Sequence, residues 1–197
     1  MSPDVGIDTE FGVVRAKRHD HSPDRAAIVL PGVDYTPAGP LLHYSRRALE
    51  QRDWTVLELW WDYGSRCDDV APEEWAAAHL DVALGELTGT ERTLIVGKSL
   101  GTYAAQAVAE RGLPAVWLTP LLHLPPVADA LARAPAPTLL VCGERDGATP
   151  ADALERIRTD AIVIPGADHG LEVSDPLRSI DILRDVVARV AEFADGL

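Results

Sequence analysis

The sequence predicts an α/β domain built on a doubly wound, mostly parallel sheet flanked by helices. Three observations predict it. Short apolar runs recur along the chain, stretches with helical spacing lie between them, and turn-forming loops such as Pro31-Gly32, Gly97-Lys98 and Gly143-Glu144 follow the runs. Parallel neighbours need long crossover connections, so regular alternation of strand and helix itself points to a parallel sheet.

In chain order, residues 1–10 read as a flexible start and residues 11–197 as one domain. An edge strand is expected over 11–18, followed by a polar turn in which His19, Asp20 and His21 read as solvated. The run at 26–30 reads as a buried strand, 41–52 as a helix, 54–60 as a strand and 73–87 as an amphipathic helix. A strand at 93–96 leads into a helix over about 102–111. Strands at 115–118, 138–142 and 161–164 then alternate with short helices at 127–133 and 151–158. A closing helix spans 176–193, with Ile180, Leu183, Val187 and Val190 as its expected core-facing stripe.

Composition narrows the function classes. With 197 residues the chain suits one substantial core, and 47% hydrophobic with 25% charged residues rules out disorder as its main state. The net charge of −13 argues against a nucleic-acid partner, because such affinity depends on clustered Lys and Arg. The acidic start lacks the character of a signal peptide, and no apolar run approaches the ~18 residues of a membrane span. A cytoplasmic location without membrane association is therefore expected. Cys67 and Cys142 have no metal-ligand spacing, and the histidines are scattered, so neither a metal nor another cofactor is expected. Nothing in the sequence points to an oligomeric state.

The motif that carries chemistry is Gly97-Lys98-Ser99-Leu100-Gly101, placed between a buried strand and a helix. That setting suits a nucleophile elbow, in which a sharp turn lifts the serine hydroxyl above the sheet while the glycines remove colliding side chains. A glycine-rich turn that merely packs strand on helix is the bland alternative. A phosphate-binding loop is excluded because its first glycine would fall at Arg92. A serine nucleophile needs a base, normally a histidine held by a carboxylate. Two later strand ends open into Gly143-Glu144-Arg145-Asp146 and Pro165-Gly166-Ala167-Asp168-His169-Gly170. Ser99, Asp146 and His169 thus follow one another in the order Ser, Asp, His.

With these three motifs at the ends of the expected strands, the chain resembles the α/β-hydrolase superfamily over nearly its whole length from about residue 11. The resemblance implies that Ser99 is the nucleophile, His169 the general base and acid, and Asp146 the carboxylate that orients the imidazole. Glu144 and Asp168 are the nearest rivals for the acid, but the family pattern places it three residues past the strand-ending glycine. Oxyanion donors would be the backbone N–H groups of Leu100 and Val33, since Pro31 has none to give. Family members insert large lids after the sixth strand, and the connection at 119–136 is too short for a lid domain. The compact layout is similar to dienelactone hydrolase, whose nucleophile is a cysteine. An aspartate elbow, as in dehalogenases and epoxide hydrolases, is absent.

Trp60, Trp61 and Tyr63 follow one strand and Leu121, Leu122 and His123 another, so these groups either line an acyl pocket or pack as core and rim. Asp34, Tyr35 and His43 either bind a polar substrate group or are solvated. Trp61, Tyr63, Leu122, His123 and Tyr35 are the substrate-binding candidates. The expected partner is a small soluble ester or thioester. A silent ligand- or partner-binding member of the fold, or an acyltransferase with the same triad, is the competing expectation.

Overall fold

The computed structural model describes residues 4–157 and 159–197. Among these, eight strands form one sheet in the order β1-β2-β4-β3-β5-β6-β7-β8. The strands are β1 (Asp4–Thr9), β2 (Gly12–His19), β3 (Arg25–Leu30), β4 (Thr55–Trp60), β5 (Arg92–Lys98), β6 (Ala115–Leu118), β7 (Thr138–Gly143) and β8 (Asp160–Ile164). Every pairing from β4 to β8 across the sheet is parallel, whereas β1 with β2 and β2 with β4 are antiparallel.

The helices are α1 (Pro40–Glu50), α2 (Pro72–Gly85), α3 (Ala105–Glu110), α4 (Pro125–Ala132), α5 (Ala151–Arg156) and α6 (Pro176–Asp195). Four of them begin on proline, whose fixed φ suits the first turn and whose missing N–H would go unpaired there anyway. At α6 the Asp175 carboxylate adds a cap, accepting from the Leu177 N–H at 2.9 Å.

The uninterrupted apolar strands follow from burial on both faces. Alternate side chains point to opposite sides, so Ile28, Leu30, Ile95, Trp117 and Leu140 join one core with residues of α2 to α5. Ala27, Val29, Val96, Val116 and Val141 join the other core with α1 and α6. At the centre β3 pairs with β4 on one side and β5 on the other. Connections leaving the carboxyl ends of β3 and β5 run to opposite faces, and such a switch point leaves a crevice above the sheet.

Several expectations need correction. Residues 4–9 are a strand and not a flexible start, paired with β2 from Asp4↔Lys17 to Thr9↔Gly12. That pairing makes β2 an interior strand. His19 is its last residue and is not solvated: Nδ1 lies 3.2 Å from Glu50 Oε1 and Nε2 3.2 Å from Glu58 Oε2. Arg46 Nε lies 2.7 Å from Glu58 Oε1, so one buried charge cluster ties β2 and β4 to α1. The turn after β5 is a 3-10 helix, Ser99–Ala104, before α3 begins. The end of the helix expected at 151–158 lies outside the described residues at position 158. On α6 the buried stripe is Ile182, Val186, Val190, Ala191 and Ala194, while Ile180 is 61% exposed. Among the described residues no helix is long and apolar enough to cross a membrane.

Candidate active site

Ser99 stands at the end of β5 with a φ of +50°, a left-handed conformation that a non-glycine residue adopts only under constraint. Its neighbours supply the constraint. A Cβ on Gly97 would collide with the Trp117 ring, and one on Gly101 would lie 2.6 Å from the Leu30 carbonyl oxygen. Only glycines let the following helix approach β3 so closely. The loop after β3 also passes close by, since a Cβ on Gly32 would lie 3.3 Å from Ser99 Cβ.

The loops after β7 and β8 meet above the sheet. Gly143 abuts the Ala167 and Asp168 carbonyls, and the Arg145 N–H donates to the Ala167 carbonyl at 2.8 Å. Asp146 is buried; its Oδ1 accepts from the Ala148 N–H at 2.9 Å and its Oδ2 lies 2.8 Å from His169 Nδ1. His169 Nε2 lies 2.8 Å from Ser99 Oγ. The structure therefore brings Ser99, His169 and Asp146 into one line. The imidazole is 42% exposed and the carboxylate 2%, so the ring is open to an incoming molecule while its partner is not.

The two rival acids are engaged elsewhere. Glu144 Oε2 accepts from the Gly166 N–H at 2.8 Å, and Asp168 Oδ1 accepts from the Gly170 and Glu172 N–H groups at 2.8 and 3.1 Å. Both brace the loop that carries His169. In the loop after β3, the Gly32 N–H is committed to the Tyr35 carbonyl at 3.1 Å, leaving Val33 as the next N–H beside Ser99. Leu100 lies in the first turn of the 3-10 helix, where the N–H groups have no partner within the helix.

A cavity of about 290 Å³ opens beside Gly32 and Val33, walled by Tyr35, Trp60, Trp61 and Tyr63. Of the substrate-binding candidates, Tyr35, Trp61 and Tyr63 line this cavity. Leu122 and His123 do not. Leu122 is 2% exposed in the core beneath the sheet end, and exposed His123 donates its N–H to the Ala148 carbonyl at 3.0 Å, against the Asp146 loop. The direction of a side chain just past a strand end depends on the turn, which local pattern does not specify.

Sequence reasoning passed over Lys98, Arg15 and Tyr103. Lys98 is buried and reaches the carbonyl of His169, Arg15 reaches the cavity from antiparallel β2, and Tyr103 stacks on Tyr63 with centroids 6.3 Å apart. Lys98 carries a readable signal, being the single charge in the otherwise apolar or small run 93–101. Burial raises the phenol pKa of Tyr35 and Tyr103 and pushes the Cys142 thiol up to about 12, so that cysteine is inert. The Nε1 atoms of Trp60 and Trp61 are buried with no hydrogen-bond partner among the described residues.

A mostly parallel sheet bearing a serine at a strained strand-to-helix turn, with histidine and aspartate on later strand ends, defines the architecture of the α/β hydrolases. Comparison with solved structures agrees: the chain has the α/β-hydrolase fold in its lidless form. An esterase of Pyrococcus furiosus superposes with a TM-score of 0.79 at 17% identity, covering 99% of this chain and 92% of that one. A serine hydrolase without a lid from Xanthomonas campestris gives 0.76 at 16%, covering 98% and 94%. Est1E of Butyrivibrio proteoclasticus, solved with ferulic acid bound, gives 0.71 at 15%, covering 95% and 99%. No protein-family model and no curated protein matches the sequence.

Proposed function

We propose that the protein is a serine hydrolase that cleaves small soluble carboxylic esters or thioesters through an acyl-enzyme. The observation that carries the reading is the pair of 2.8 Å contacts in series, Asp146 Oδ2 to His169 Nδ1 and His169 Nε2 to Ser99 Oγ. Nδ1–H donating to the carboxylate leaves Nε2 as the acceptor that Ser99 requires. Ser99 Oγ attacks the carbonyl carbon and its proton passes to His169 Nε2. The oxyanion is met by the N–H groups of Leu100 and Val33. The proton then goes to the departing alkoxide or thiolate, leaving an acyl group on Ser99. Water, deprotonated by His169, attacks that acyl group; the acid leaves and Ser99 regains its proton.

The cavity supports a substrate class. Its rings suit a flat acyl group, and an aromatic short acyl chain meets that need, in keeping with the ferulic acid held by Est1E. The short connection between β6 and β7 leaves the site without a lid for an interfacial lipid.

Intact-mass measurement after treatment with a fluorophosphonate tests the reading. One adduct on the wild type and none on Ser99→Ala is expected, with turnover of short aryl esters falling by about 10³-fold or more in the variant. An adduct on Ser99→Ala, or full esterase activity without Ser99, would overturn it.

A further inference from the structure

Lys98 sits between Gly97 and Ser99 with 3% of its surface exposed, and the acyl-transfer chemistry gives it no part. An ammonium group inside a protein is costly unless acceptors and opposite charges compensate it. Here the compensation comes from separate loops. Nζ donates to Thr119 Oγ1 after β6 at 3.1 Å and to the His169 carbonyl after β8 at 3.2 Å. The Tyr35 ring, from the loop after β3, lies with its centroid 4.6 Å from Nζ. Asp146 and Asp168 favour its charged form from the loops after β7 and β8. One cation on the nucleophile's own strand thus faces groups from the loops after β3, β6, β7 and β8.

We propose that Lys98 is a positioning residue, clamping the His169 loop to the elbow and holding a positive charge beside the Asp146–His169 pair. The electrostatic half rests on the hydrolase reading above; the clamp does not. The charge lies against the loop that carries His169, so its loss alters the electrostatic surroundings in which the Ser99 proton is transferred. The charged and titratable groups facing the ammonium are Asp146, Asp168 and Tyr35, with the backbone carbonyl of His169, and Glu172 acts in turn on Tyr35.

Two measurements on Lys98→Met, which keeps an unbranched apolar stem, separate these effects. Backbone amide exchange over residues 169–171 is expected to accelerate by about tenfold or more as the tether is lost. The acid limb of fluorophosphonate labelling is expected to move to higher pH by about half a unit or more, which a purely structural loss would not cause. Thr119→Val, which removes one acceptor and keeps the charge, is expected to accelerate exchange severalfold with the acid limb in place, and it serves where Lys98→Met fails to fold. Unchanged exchange in the folded variants overturns the clamp. An unmoved acid limb in Lys98→Met overturns the electrostatic half. A wild type that is never labelled overturns the hydrolase reading and leaves the exchange experiment to decide the clamp.

Discussion

Lys98 and Ser99 are consecutive residues that both depart from what their types prefer. The serine occupies left-handed backbone and the lysine is buried, and both conditions are imposed by packing around a short turn. Burial draws the Lys98 pKa from the ordinary 10.5 down to about 8. The folded chain therefore releases this proton near pH 8, whereas the unfolded chain keeps it to about 10.5. Between those values the unfolded state binds more protons, so this group's contribution to stability rises with pH. Urea titrations at pH 7 and pH 10 should show wild type gaining on Lys98→Met by on the order of 3 kcal/mol over that interval. An unchanged difference would mean that the folded amine keeps its proton up to the ordinary 10.5, so that burial does not draw its pKa down. At this scale Ser99, Asp146 and His169 were legible as candidates because each follows an apolar run and lies in a loop rich in glycine or acid. Leu122 was misread because a residue two positions past a turn can face either core or crevice, and only the turn decides.

Elements were legible where both faces of a strand are buried. Runs such as 94–96 and 139–142 are apolar throughout and buried, while β8 shows that the pattern alone does not ensure burial, since its apolar run at 161–164 lies half-exposed at the sheet edge. β1 was not legible, because its residues alternate with polar ones and its order comes from pairing with β2, a partner chosen by tertiary contact. α6 was placed correctly but turned wrongly about its axis. Its sequence holds apolar residues at three- and four-residue spacing on two adjoining lines; of the expected Ile180-Leu183-Val187-Val190 line only Val190 is fully buried, and packing against α1 and the sheet selects Ile182-Val186-Val190. Truncation distinguishes the two faces. Ile182→Ala should lower stability by about 2 to 4 kcal/mol, and Ile180→Ala by less than about 0.5 kcal/mol, in denaturant unfolding. Equal costs would mean that the second face is also covered.

Over the whole molecule, the switch point between β4-β3 and β3-β5 gathers the loops after β3, β5, β7 and β8 on one side of the sheet. This convergence follows from parallel strands and was legible from alternation alone, whereas the strand order was not. The sheet's antiparallel end brings Arg15 to the cavity from a part of the chain that no helix crossover predicts. A net charge of −13 surrounds the site with a long-range negative potential. Neutral aryl esters should accordingly be turned over with higher kcat/KM than carboxylate-bearing counterparts of the same shape, by on the order of tenfold at low salt. The gap should narrow as ionic strength rises through about 0.15 M, where the Debye length falls to ~8 Å. A gap independent of salt would place the discrimination in the cavity walls.

The cavity wall and the proposed reacting groups come from different stretches of the chain. Arg15, Val33, Tyr35, Trp60, Trp61 and Tyr63 all precede residue 64, and Ser99, Asp146 and His169 all follow residue 98. The two stretches share the central β3-β5 pairing, so they fold as one body while remaining separate in the coding order. For an engineer or for evolution, that makes the first third of the chain a region where selectivity can be diversified, provided the backbone at Val33 is kept, while the nucleophile, base and acid are inherited unchanged from the remainder.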